Sequence, residues 1–240
     1  MAVLTPDIAK TELAIIELTN IFRAEQKLAP VKSNPVLTAA ARAYAKFLAS
    51  SEMFSHTADG RQPSDRVKAA GYSYCHTAEN LALNMDSRGF LTPQLARDAV
   101  EGWKNSPGHR KNLVAPHVTE IGVGIAKSKS EEKYLSVQLF GRPMSLQYTF
   151  KIVNEAGVPV RYSLNREPHT MTPRMFVTHT ECDPGAIKFE GALTTSATTI
   201  DLQFPTRDGD TFTLRKTPSG LHVDLSSKTK DTPNNNRIKN

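Results

Sequence analysis

The sequence is poor in the features that identify most cofactor-binding, membrane or disulfide-stapled proteins. It has two cysteines, Cys75 and Cys182, in 240 residues. Two cannot build a disulfide framework, and neither sits in a Cys-x-x-Cys motif. Two separate thiols, at least partly buried, are the plainer expectation, with one bridge as the alternative. No apolar run approaches the roughly 20 residues of a membrane span. The opening MAVLTPDIAK lacks the basic segment and apolar run of a secretory leader. That leaves a cytoplasmic protein, or one whose leader has been removed. There is no His-Glu-x-x-His, no His-x-His and no Gly-x-Ser-x-Gly. No basic stripe is interleaved with aromatics, which argues against a nucleic-acid partner.

What is present is a soluble globular composition, 39% hydrophobic and 22% charged. The net charge of +6, from 30 basic and 24 acidic residues, favours anionic surfaces weakly. The length suits one large domain or two modest ones.

Residues 8–29 read as an amphipathic helix, with Leu13, Ile16, Ile21 and Phe22 at helical spacing and Lys10, Glu12, Glu17 and Arg23 filling much of the rest. Asn20 on it suits either solvent or a buried strut. Asn34 caps a second helix that opens on Pro35 and buries Leu37, Ala40, Ala41, Tyr44, Ala45 and Leu48. Ser64 is placed to cap a short third helix ending at Gly71. Residues 78–83 alternate as an extended piece, and a fourth helix runs from about Pro93 to Trp103 with Thr92 as its cap. Ser106-Pro107-Gly108 has turn chemistry, so His109 is expected to leave a turn. Ile121, Val123 and Ile125 alternate with Gly122, Gly124 and Ala126, a strand whose small face admits a helix. Residues 134–140 complete a hairpin with it. This is an α+β layered domain.

Beyond Gly141-Arg142-Pro143 the pattern becomes short alternating runs separated by turn signals. A small all-β sandwich or barrel is expected over 146–225, and a disordered tail over 226–240.

His56, Glu79 and His109 come from three segments, each beside turn residues. If they converge, they can ligate a divalent metal such as Zn2+ or perform general acid–base chemistry. Their spacing equally suits structural histidines. Ser106 lies three residues before His109 but precedes Pro107, which has no N–H to donate, so it reads as a turn residue rather than a nucleophile. His179 and Cys182, also three apart, are weak evidence for metal.

Several of these segments together resemble a known family. Ser55-His56, Glu79-Asn80-Leu81-Ala82, Trp103-x-x-Ser-Pro-Gly-His109-Arg110-x-Asn112 and Glu120-Ile121-Gly122-Val123-Gly124 are similar to motifs of the CAP superfamily, in the same order. That group comprises the cysteine-rich secretory, antigen 5 and pathogenesis-related proteins, also called SCP domains. The likeness is to its bacterial branch and covers about residues 8–142. It implies a three-layer α-β-α sandwich with an open cleft. It places His56 and His109 at the cleft's two histidine positions, as metal ligands if a metal binds, and Glu79 at the first glutamate position. The second glutamate position holds Ser106, which brings no negative charge. Glu120 is a candidate replacement. The resemblance also implies an extracellular, periplasmic or cell-surface location.

The expected function is a binding protein, leaning away from catalysis. Its cleft would take a lipid, peptide, glycan or cell-wall component, with no cofactor required and a divalent metal such as Zn2+ as the optional one. A peptidase-like hydrolase using His56, Glu79 and His109 is the alternative. A structural protein with a vestigial cleft is the third.

Overall fold

The computed structural model describes residues 3–51, 53–129, 131–193, 202–218 and 220–227. The chain divides into two compact units, Met1–Leu146 and Gln147–Asn240.

The first unit opens with helix α1 (Ile8–Glu25), strand β1 (Lys32–Ser33), helix α2 (Pro35–Ser51) and helix α3 (Pro63–Ala69). Strand β2 (Tyr74–Met85), helices α4 (Thr92–Asn105) and α5 (Pro107–Leu113), and strands β3 (Glu120–Lys127) and β4 (Lys133–Pro143) follow. The strands form one sheet in the order β1-β3-β4-β2, antiparallel except for the β1–β3 pair. Helices α2 and α3 cover one face through Leu37, Ala41, Tyr44 and Val67 packed on Leu81, Val137 and Leu139. Helices α1, α4 and α5 cover the other through Ile15, Phe22, Leu95, Trp103 and Leu113 on Ile121, Val123 and Phe140. The architecture is the three-layer α-β-α sandwich.

Local chemistry explains how closely the layers meet. Asn34 Oδ1 accepts the N–H groups of Val36 (2.8 Å) and Leu37 (3.2 Å), starting α2 at Pro35. That helix then lies on the glycine face of β3. A Cβ on Gly122 would stand 2.2 Å from the Leu37 carbonyl carbon, and one on Gly124 2.1 Å from the Arg42 nitrogen.

Several local expectations are corrected. In α1, Leu13 and Ile21 are 64% and 50% exposed, whereas Glu12 and Arg23 are buried. The charges are inside because each satisfies backbone groups. Glu12 accepts the Ile125 N–H and pairs with Arg42, and Arg23 donates to the carbonyls of Ala29, Leu113 and Ala115. Asn20 is a strut that exchanges two hydrogen bonds with the Val31 backbone. The cap of α3 is Gln62 rather than Ser64. Cys75 and His76 lie on β2, which is longer than the extended piece expected. Cys75 and Cys182 are in the disulfide form, so the two free thiols are overturned.

The second unit contains β5 (Tyr148–Asn154), β6 (Val160–Leu164), β7 (Glu167–Met171), β8 (Phe176–Glu181) and β9 (Ala186–Phe189). It ends with β10 (Ala192–Leu193), β11 (Leu202–Pro205), β12 (Thr211–Thr217) and β13 (Gly220–Ser226). Two open sheets, β10-β13-β12-β5-β8 and β11-β9-β6-β7, enclose one core that includes Phe150, Ile152, Tyr162, Phe189 and Phe212. This is the sandwich form of the expectation and not a closed barrel. Strand β7 is hidden in the sequence by Pro168, which is tolerated because β7 is an edge strand. Within the expected tail, Ser226 ends β13, and residues 228–240 lie outside the described residues.

The contact between α2 and β3 is testable by equilibrium unfolding. Gly124→Ala is expected to cost at least about 1–3 kcal/mol, because backbone must move. Gly102→Ala, on α4 with open space around it, should instead gain about 0.5–1 kcal/mol.

Candidate functional site

The site is built around edge strand β2. Successive strand residues point to opposite faces, and here Glu79 and Asn80 use that alternation. Glu79 faces the α2–α3 layer and is buried. Its Oε1 accepts from His56 Nδ1 at 2.8 Å, and Arg66 reaches both its oxygens at 3.0 and 2.8 Å. Asn80 faces the α5 layer, donating to the His109 carbonyl at 3.3 Å and accepting from Asn112 at 2.9 Å.

The turn carrying His56 is fixed from several directions. Arg66 donates to the His56 carbonyl (2.9 Å), the Arg61 carbonyl (3.0 Å) and Asp59 Oδ1 (2.8 Å). Its guanidinium lies 3.4 Å from the centroid of the Tyr44 ring. The Tyr44 hydroxyl donates to the Ser55 carbonyl and accepts the Ala58 N–H. Because a carboxylate only accepts, His56 Nδ1 must carry the proton toward Glu79. In the neutral ring that leaves the Nε2 lone pair, the form suited to a metal or to a proton.

The second imidazole is held by backbone. His109 lies within α5 rather than after a turn, since Pro107 takes the first position of that helix. Asn112 Nδ2 donates to the Glu79 carbonyl at 3.1 Å, fastening the helix to β2. Behind Asn80, Gln138 accepts its amide at 3.0 Å and donates to Thr19 on α1 at 2.9 Å. His109 is held below the ordinary histidine range by burial first, and second by the charge of His56.

The other two expected residues are placed differently. Ser106 is the junction of α4 and α5, where its N–H meets the Trp103 carbonyl and its carbonyl accepts from Arg110. Its side chain makes no capping bond. Glu120 accepts from the Tyr72 hydroxyl, which burial and that carboxylate keep protonated. Sequence reasoning missed Arg66 and Asp59. Helix α3 is short and offers one buried apolar anchor, Val67, so no periodicity marks Arg66 as an inward residue.

Known proteins resemble the first unit. The family model described as CAP, the cysteine-rich secretory protein family, matches residues 16–140, all within the first unit. An uncharacterised Bacillus subtilis (strain 168) protein, YkwD, is 37% identical over 120 residues, 50% of this chain and 44% of that protein. YlbC, an uncharacterised membrane protein of the same bacterium, is 28% identical over 127 residues, 52% of this chain and 34% of its own length. The chain thus spans less than half the length of these curated relatives. Among solved structures, an extracellular protein containing an SCP domain from Bacillus anthracis is similar at 26% identity and a TM-score of 0.48, over 59% of this chain and 45% of that one. An outer surface protein from Borrelia burgdorferi is similar at 23% identity and a TM-score of 0.49, over 55% of this chain and 92% of that one.

Two measurements test the geometry. Arg66→Ala leaves the Glu79 carboxylate buried without its cation and should destabilise the first unit by about 3–5 kcal/mol in denaturant melts. The His109 ring should titrate below about 6.5 by NMR. His56→Ala should raise that value partway, since burial remains. A proton binds His109 less readily in the folded chain than in the unfolded one. Its contribution to stability is therefore complete above about pH 6.5 and is lost as pH falls through the lower folded value.

Proposed function

We propose that this chain, which belongs to the cysteine-rich secretory protein (CAP) family, is a secreted or cell-surface binding protein whose cleft beside β2 holds a ligand without transforming it. The burial of Glu79 carries this reading. Its side chain is 1% exposed and holds Arg66 and His56, so it orients an imidazole and is closed to a substrate. Neither candidate for a second carboxylate position joins it, since Ser106 is a helix junction and Glu120 belongs to Tyr72. The cleft therefore presents the imidazoles of His56 and His109 to a lipid, peptide or glycan. The disulfide form of Cys75 and Cys182 supports an oxidising compartment outside the cytoplasm.

A divalent metal fits this donor set in a limited way. Neutral imidazole nitrogens suit zinc, with His56 and His109 as its holders and Glu79 as the partner that orients one of them. Among the described residues no group of three His, Cys, Asp or Glu side chains stands ready to enclose an ion. Bound there, a metal would supply Lewis acidity toward a polar ligand group.

One observation favours a second reading, a hydrolase. The Glu79–His56 hydrogen bond is the arrangement by which a carboxylate orients a general base. Against it stands the lack of an oxyanion-binding N–H at Pro107 beside Ser106.

Calorimetric titration with zinc at about pH 7.5 is expected to show binding that weakens below about pH 6 and is lost in His56→Ala/His109→Ala. Identical isotherms for native and variant would remove the metal. A lipid and glycan binding screen beside a peptidase panel separates the two functions. Peptide cleavage abolished by His109→Ala would overturn the binding reading.

A further inference from the structure

We propose that the tip of the second unit formed by Val158, Met175 and Phe176 docks the protein onto a lipid bilayer bearing anionic head groups. These three side chains are 38%, 52% and 61% exposed. Scattered surface hydrophobes are ordinary, but a group of them converging on one projection is not.

One buried side chain brings them together. Asn154 Nδ2 donates to the carbonyls of Val158 (2.9 Å), Met171 (3.2 Å) and Thr172 (3.1 Å). Its backbone N–H reaches the Met175 carbonyl at 2.9 Å, and its carbonyl accepts from Arg174 at 2.9 Å. The loop after β5 and the loop between β7 and β8 are thus clamped to the same residue. Arg174 adopts a left-handed backbone, φ 59°, which costs a non-glycine residue energy and persists only where the surroundings enforce it. The strained turn leads directly into Met175 and Phe176. Phe176 opens the outward-facing row of β8, whose next members are Thr178 and Thr180, and packing does not require an aromatic there.

Charge selects the occupant. Lys151 Nζ stands 4.1 Å from the Phe176 ring centroid, and Arg174 is exposed at the turn. Among the described residues neither has a carboxylate partner. Of the acids nearby, Glu155 pairs with Arg215, which also holds Asp224, and Glu190 lines the recess beside Val158 together with Arg161. The projection is therefore apolar at its point and cationic at its collar. That pattern suits a negatively charged interface, where the apolar groups enter the acyl boundary and the cations meet head groups.

Flotation of the full chain with phosphatidylglycerol vesicles and with phosphatidylcholine vesicles tests this. The native chain should float with the former and lose that association as salt rises. Met175→Ser/Phe176→Ser should lower its partition at least about tenfold, with an unchanged melting curve because both sites are exposed. Phe176→Trp should shift its emission to the blue on vesicles, against a constant background from buried Trp103. The proposal is overturned if the native chain stays in the dense fraction, or if the double serine variant floats equally. It is also overturned if the double serine variant abolishes a self-association of the native chain that needs no vesicles.

Discussion

The buried contact between Arg66 and Glu79 is the constraint on which the first unit's site depends. Both side chains are almost wholly removed from solvent, and neither charge is tolerable there without the other. Once paired, they determine much else. Glu79 has one direction left for a donor and takes His56, while Arg66 spends its remaining N–H groups on the turn that carries that histidine. Tyr44 closes the set from α2 by lying against the guanidinium and holding Ser55 and Ala58.

A second principle delivers the other imidazole. Strand β2 is at the sheet edge, and adjacent residues on it reach into different helical layers. Glu79 recruits α3, whereas Asn80 recruits α5 and continues through Gln138 to Thr19 on α1. Two segments about fifty residues apart in sequence are so anchored to β2 without a short motif, one through the His56 ring and the other through the His109 carbonyl. The polar chain behind Asn80 runs through otherwise apolar packing, and it is satisfied at each link, as a buried network must be to stabilise.

These two mechanisms explain what was legible beforehand. Asn34-Pro35 announced α2, and the glycines of β3 announced the helix lying on them, because both signals are local backbone requirements. The His56–Glu79 bond and the fold of residues 16–140 were accessible through the family likeness. Arg66 was not, because a guanidinium is buried for its partners rather than for hydrophobic period. The face of α1 was misread for a related reason. Glu12 and Arg23 face inward because orphan backbone groups of β3 and α5 need them, while Leu13 and Ile21 face water. Pro168 concealed β7, since an edge strand tolerates what an interior one cannot.

The pairing of β5 with β12 has a consequence for biogenesis. Lys151 lies beside Thr211 in a parallel ladder, and β13 must then close against β12. While the ribosome is still making the intervening sixty residues, β5 has no neighbour on that side. Its backbone groups stay available to wrong partners until translation has passed Thr217. The first unit's own distant pairing, β1 with β3, is already translated by then, so the nascent chain carries a finished first unit ahead of a half-made sandwich.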